Sequence, residues 1–592
     1  MVRRVILLLA FVCGTTSMAV AEQPTAAPRL PKHRNLYNGD CTFLFGDNMV
    51  QDVSAPFEKE NLHKFIDLLA DSGIDTYLQN PNAQVPWYPS KQTLNILTGY
   101  RRGDREFFRK HYRAELPEER LGPLLDSNVR FLNRYLDLAE ANVNWIDEIS
   151  RACRRRGISP WVSIRMNDMH GANSWEGSYM NCELQRDPKY RLKGLEFNPR
   201  DGVNRMLQSL DYSHPEVREY MLTMIRELVE EHDYEGLELD WLRCPFCMDP
   251  TATQEQIDMM TQWTAEIRKL TDARAKQTGK PFYLGLRLPC RLGLLKSIGL
   301  DVTAMCQAGL IDFVSFSNFW QTSWDEPIDD LRAELGDRVA IFGVIQDAPN
   351  IMPALDPVGK VNHYRLLTAS PEMLRSNAAG KLALGADGIE QFNFFCTEEV
   401  AHTQSGRVQR AQYEALRGLA DLPKLRGTEK HYTLASQVGP YSFPLWEHSE
   451  QLPTILEPQW KQALRIPMCA EPADPALELV IQVVAERGEH PAGVPLPDIG
   501  VCFNGSWPNF EAEPTDKLLF PTGIYTQHTP EHRAWNYRAK LADIRNGWNE
   551  VLVINGNRKN ATAAERRDNS VQIVSVELGV IKKGKPIRKP RL

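Results

Sequence analysis

The chain has 592 residues, 42% of them hydrophobic and 24% charged, with a formal net charge of -7. Mild acidity argues against nucleic acid or an anionic membrane as the partner. The length exceeds one ordinary domain and suits one large barrel with a smaller module appended.

Residues 1–21 read as a targeting segment. Arg3 and Arg4 precede an apolar run at 5–12, and Ala19-Val20-Ala21 fits a small-x-small cleavage site. The run is too short to span a bilayer. The expectation is a bacterial protein, secreted or periplasmic, starting near Glu22 and free of the membrane after cleavage. A Pro/Ala-rich leader occupies 22–32. Export permits disulfides, and Cys244-Pro-Phe-Cys247 could close a small loop. No second CxxC completes a zinc site, and neither a metal nor another cofactor is expected.

Over residues 33–427, strand candidates at 35–45, 75–80, 159–170, 234–243, 282–289, 311–320, 338–346 and 386–395 alternate with helical patterns. The helices are expected at 57–72, 129–156, 215–232, 254–276, 294–308, 327–335 and 371–384, and 409–422 closes the series. Gly73, Gly157, Gly309 and Gly385 each stop a helix where the chain turns left-handed. Eight βα units at this length predict a TIM (β/α)8 barrel. No Gly-rich phosphate loop follows the first strand, which argues against a doubly wound sheet. Long loops at 81–127 and 171–214 follow strands 2 and 3, on the face where such barrels carry chemistry.

Strand 4, at 234–243, is the one around which the chain is organised. Leu237 and Leu239 alternate with Glu238 and Asp240, so both carboxylates share one face. Helices on either side leave little water, so each acid needs a partner or a purpose. Glu238, the deeper, reads as an ion-paired core acid, and Asp240 as the functional one. Strands 3 and 5 flank them, and alternation turns Ser163, Arg165, Asn167 and Arg287 inward. Two arginines are therefore expected to bracket both acids, which favours an ionised Asp240 acting as nucleophile or charge stabiliser. Other candidates are Asp168 and His170 at the end of strand 3, Trp241 and Arg243 after Asp240, and Asn318, Trp320 and Asp325 along and beyond strand 6. Asp347 follows strand 7, and Glu390 and Asn393 lie on strand 8. For these, structural or substrate-positioning roles compete with catalysis. Trp87, Trp175, Trp241, Trp320 and Trp324 cluster at expected strand ends, where aromatic faces can stack on sugar rings or simply fill the core.

From 428 to 592 the pattern becomes that of an all-β sandwich, with strands at 477–485, 500–503, 535–541, 550–554 and 572–580. Asn504-Gly505, Asn546-Gly547 and Asn555-Gly556 are turn signals. The segment 538–554 resembles the jelly-roll modules appended to many carbohydrate-active enzymes. No aromatic platform stands out, so bracing the barrel is expected ahead of sugar binding.

Ser213-His-Pro-Glu-Val-Arg218, a helix, and then Tyr234-Glu-Gly-Leu-Glu-Leu-Asp-Trp-Leu-Arg243 resemble the glycosyl hydrolase-like family 10 proteins and related glycosidase barrels. Their pattern is Pro-x-Val-Arg, a helix, then Asp-Gly-hydrophobic-x-hydrophobic-Asp; here Glu235 replaces the first Asp. Ala386-Asp-Gly-Ile389 also fits, and the similarity covers roughly 35–427. It implies hydrolysis of a glycosidic bond in a poly- or oligosaccharide by paired carboxylates. In the α-galactosidase clan the nucleophile is an Asp ending strand 4, which maps onto Asp240. The clan's acid follows strand 6, where Asp325 stands without a matching motif. The partner acid stays open among Asp325, Glu390, Asp168 and Asp347. The alternative is a carbohydrate-binding barrel without turnover.

Overall fold

Eight strands close in sequence order into a parallel barrel: β1 (Asn35–Gly39), β2 (Thr76–Gln79), β3 (Ser159–Arg165), β4 (Gly236–Asp240), β5 (Tyr283–Leu288), β6 (Phe313–Phe316), β7 (Ala340–Ile345) and β8 (Gly388–Phe392). Each lies inside its expected span. The computed structural model describes residues 29–40, 44–46, 55–109, 117–169, 178–194, 209–242, 244–318, 322–346, 369–392, 394, 413–435, 451–486, 497–510, 518–520, 533–556 and 570–584. The expected targeting segment, residues 1–21, falls outside them.

Alternation sorts the strands as expected. Val162, Ile164, Leu237, Leu239, Leu284 and Leu286 are all buried, facing the helices. The register sets Ser163 beside Glu238, and Arg165, Asp240 and Arg287 side by side on β3, β4 and β5. The barrel floor is apolar: Leu36, Leu78, Trp161, Phe313, Ala340 and Phe342 form one cluster, with Leu30 and Tyr283 against it. Glycines on β4 and β5 make room for its rings. A Cβ on Gly236 would lie 2.6 Å from Trp161, and one on Gly285 2.3 Å from the Phe313 ring. The end of the leader is fastened below this floor, where Arg29 bonds Asp387 through both its backbone N–H and its guanidinium, each at 3.0 Å.

Two expected helices are each two. The span 129–156 is Glu118–Glu140 and Trp145–Arg155, separated at Asn142, whose φ is 56°. The first of these begins inside the segment read as the loop 81–127, where acids at Glu118 and Glu119 suit a helix start. The span 294–308 is Leu292–Ser297 and Val302–Gln307, separated at Gly299 with φ 99°. The four expected helix-stop glycines all have positive φ. Cys244 and Cys247 are separate buried thiols, so the loop they could have closed is not closed.

The second module is a sandwich. One sheet holds β10 (Thr454–Leu456), β17 (Val571–Lys582), β12 (Leu477–Glu486), β15 (Arg533–Ala539) and β14 (Asn509–Phe510), with β9 (Lys430–Ala435) also paired to β17. The other is β11 (Lys461–Met468), β16 (Gly547–Gly556) and β13 (Asp498–Phe503), in that order. Asn504 and Gly505 turn tightly after β13, with φ of 49° and 88°. Asn555-Gly556 is no turn: β16 runs through it, pairing Gly556 with Asp498, while the Asn555 amide donates to Leu456 O at 2.9 Å. The sequence pattern missed β11 because Pro467 and its charged residues break the strand signature; an edge strand tolerates both.

The modules share a continuous hydrophobic core. A Cβ on Gly380, in the Pro371–Ala383 helix, would stand 2.6 Å from Pro467 O of β11. Arg375 Nε bonds Glu429 O at 2.9 Å, and Trp548 Nε1 bonds Asp329 at 2.9 Å. Among the described residues no helix is long and apolar enough to cross a membrane.

Candidate functional site at the barrel mouth

Asp240 ends β4 and is almost wholly buried. One carboxylate oxygen accepts from Arg287 Nη1 at 2.9 Å and the other from the Leu242 N–H at 3.0 Å. The Arg287 guanidinium lies over Phe392 of β8, 3.3 Å from the ring centroid. Its Nε is 3.7 Å from Glu390 Oε1, and Nη2, also buried, has no hydrogen-bond acceptor among the described residues. One cation thus spans the mouth from β5 to reach carboxylates on β4 and β8.

The second arginine corrects the sequence expectation. Arg165 does not bracket Asp240. It pairs with Asp168 through Nη1 at 2.9 Å and with Asp40 through Nη2. The reason is local: Asp168 lies three residues on, and Asp40 follows β1 directly. Sequence reasoning passed over Asp40 because a single acid after Gly39 carries no signature without its distant arginine. The mouth therefore holds two groups, Asp240 with Arg287 and Asp40 with Arg165 and Asp168.

One level below lies a polar layer above the apolar floor. Glu238 and Glu390 have no exposed surface. The Asn38 amide nitrogen donates to Glu238 Oε1 at 2.8 Å, to Glu390 Oε1 at 3.1 Å and to Ser163 Oγ at 3.1 Å. Ser163 donates to Glu238 Oε1 at 2.7 Å and Ser315 donates to Glu390 Oε2. Burial first, and the charge of Glu390 second, push Glu238 well above the usual carboxylate range. Burial also raises Glu390, against the pull of Arg287. Glu238 is hence not the ion-paired core acid expected from sequence; its direct partners are an amide and a hydroxyl. Removing two like charges from water without separate counter-ions is costly, and protonation is the cheaper outcome.

The other candidates are placed variously. Asn167 is spent on backbone, donating to Leu210 O at 2.9 Å and Phe246 O at 2.8 Å. Its inward-facing expectation gives way because β3 ends at Arg165 and the chain there turns to anchor loops. Trp241 is buried edge-on against Tyr212, which in turn meets Trp263 of the Gln254–Thr278 helix, so it belongs to the helix layer. Trp87 and Trp324 are likewise core. The Asn318 amide donates to Ser323 Oγ at 2.6 Å. Asp325 accepts from Gln451 of the second module at 2.8 Å and bonds neither Asp240 nor Glu390. His170, Trp175, Arg243, Trp320, Asp347 and Asn393 lie outside the described residues.

No family model matches the chain, and no curated protein matches it. Among solved structures it is similar to alpha-L-fucosidase isoenzyme 2 from Paenibacillus thiaminolyticus, at 13% identity and TM-score 0.35, over 68% of this chain and 51% of that one. It is also similar to the PgaB (BpsB) glycoside hydrolase domain from Bordetella bronchiseptica, at 10% identity and TM-score 0.35, over 62% and 97%. A third is the noncanonic maltogenic alpha-amylase AmyB from Thermotoga neapolitana, at 13% identity and TM-score 0.32, over 91% and 97%. The chain spans about half the length of the first of these. The class defined by the strands is a TIM barrel followed by an all-β module.

Proposed function

We propose that this is an exported carbohydrate-active barrel, similar to the glycosyl hydrolase-like family 10 proteins, that cleaves a glycosidic bond at the mouth. The observation that carries this reading is Asp240: a buried carboxylate at the exit of β4, oriented by Arg287 and set in register beside Arg165 and its two acids. A glycoside hydrolase needs two carboxylates across one sugar bond. Asp240 serves as nucleophile or as the charge that stabilises an oxocarbenium ion. The second acid comes from the Arg165 group, Asp168 or Asp40, since Glu390 lies a level below and Asp325 turns to the sandwich. No cofactor is required for this chemistry.

The test is hydrolysis of a panel of nitrophenyl glycosides and oligosaccharides by the wild-type protein and by Asp240→Asn. The nearly isosteric amide should keep the fold and abolish turnover. Turnover at the wild-type rate by Asp240→Asn would remove Asp240 from the chemistry. A second reading, sugar binding without cleavage, is favoured by one observation: both Asp240 oxygens are already engaged. It requires that glycans bind, measured calorimetrically, with no product formed.

A further inference from the structure

Three features of the molecule lie outside the proposed chemistry. A groove of about 1340 Å³ between the loops after β2 and β3, lined by Phe107, Tyr179, Glu183 and Tyr220, shows nothing that selects an occupant. Trp460, 63% exposed, precedes β11, and Trp507, 69% exposed, follows β13, the two edge strands of the three-stranded sheet, and nothing beside either selects an occupant. The polar layer inside the barrel carries more.

There, a single amide nitrogen serves two carboxylates that are both fully buried. The groups that face them are few: Asn38 from β1, Ser163 from β3, Asp240 on β4, Arg287 from β5 and Ser315 from β6. Arg287 is the only cation among these, and its Nη1 is committed to Asp240. Were Glu238, Glu390 and Asp240 all ionised, three negative charges would share one guanidinium in a site without water contact. Glu238 Oε2 has no hydrogen-bond donor among the described residues, so an ionised oxygen there would lack the partner that Oε1 has. Glu390 is better provided, with Asn38 on one oxygen, Ser315 on the other and Arg287 nearby.

We propose that Asn38 is a positioning residue: it clasps Glu238 and Glu390 as a pair sharing one proton, and the charge left on Glu390 holds Arg287 flat on Phe392 and aimed at Asp240. The proton resides on Glu238 and the charge on Glu390. The pair stands on its own geometry; only its service to catalysis rests on the proposed function of Asp240.

The sign of the pH effect follows. An acid whose folded pKa lies above its unfolded value contributes stability that is fully present below the unfolded pKa and is lost as pH rises through the folded one. Glu238 should therefore weaken the fold progressively as pH rises above its unfolded value, about 4.5. In the full-length protein, Glu238→Gln mimics the protonated acid. It should match wild type below about pH 4.5, the unfolded value, and melt at an increasingly higher temperature than wild type as pH rises from there to 9. The infrared carbonyl band of a protonated carboxyl, present in wild type at pH 7, should lose intensity in Glu238→Gln. Asn38→Asp should lower the melting temperature at pH 8, and that deficit should shrink as pH falls and the new acid regains a proton to donate. Its effect should be non-additive with Asp240→Asn in a double-mutant cycle of unfolding, since Arg287 connects them.

An unchanged carbonyl band, or a Glu238→Gln protein less stable than wild type at pH 9, would overturn the shared proton. Strict additivity of Asn38→Asp with Asp240→Asn would overturn the positioning role. None of these readouts uses a substrate. If they hold while Asp240→Asn still cleaves a glycoside, the catalytic reading fails and the pair stands.

Discussion

Arg165 has no exposed side-chain surface and meets the carboxylates of Asp168 and Asp40. Taking it away breaks two buried ion pairs at once, a loss of about 3–5 kcal/mol. Arg165→Met should show that loss in urea unfolding at pH 7; a change under about 1 kcal/mol would mean the acids find other donors. His33 gives a second residue-scale prediction, of the opposite pH sign to Glu238. Packed on Trp161 at the barrel floor, it is lowered by burial to about 4, and its Nδ1 is 2.9 Å from Thr76 Oγ1. A base whose folded pKa is depressed contributes stability that is present above the unfolded value, about 6.5, and is lost as pH falls towards the folded one. The span corresponds to about 3 kcal/mol at most. His33→Gln, which keeps a hydrogen-bonding group, should flatten the fall in stability between pH 6.5 and 4, and an unaltered acid limb would refute the neutral histidine.

At the scale of elements, β4 and β5 depend on glycines that face the barrel interior. Gly285 stands beside Glu238 in the register, and its absent side chain is where Phe313 of β6 lies. Gly285→Ala forces that ring or the strand to shift, at roughly 1–3 kcal/mol. Adding Phe313→Leu should recover part of the loss, and a neutral Gly285→Ala would show that the floor is looser than its packing indicates. The eight strands were legible because Leu, Val and Ile recur at period two between helical runs. The split of the 129–156 helix was not, because apolar periodicity continues across Asn142 while only the backbone there reverses. The inward direction of Ser163, Glu238 and Arg287 could be read from alternation. The partner of Arg165 could not, since Asp40 is distant in sequence and lies outside any pattern.

For the whole molecule, the Pro371–Ala383 helix is covered by β9 and β11, so it belongs to both modules. A barrel ending at residue 427 would expose that helix's apolar face and leave the buried Lys381–Glu326 pair, 2.9 Å apart, near a new surface. Such a truncated chain should be recovered poorly or aggregate. A protease site inserted between 436 and 450 should instead give two fragments that remain together on size exclusion, and their separation would show that the sandwich is an independent appendage. This arrangement fits the bracing role expected of the sandwich.

The sequence by itself determined the strand order, the helix-stop glycines, the inward face of β4 and the change to an all-β module, because each follows from local periodicity and local backbone preference. Only the tertiary structure decided that Arg165 serves Asp40 and Asp168, that Asn38 joins Glu238 to Glu390, and that Asp325 faces Gln451. Those pairings join residues up to 352 positions apart. Barrel closure brings β1 beside β8, and side-chain charge is then settled by whichever partner lies within about 3 Å, a distance no sequence spacing encodes.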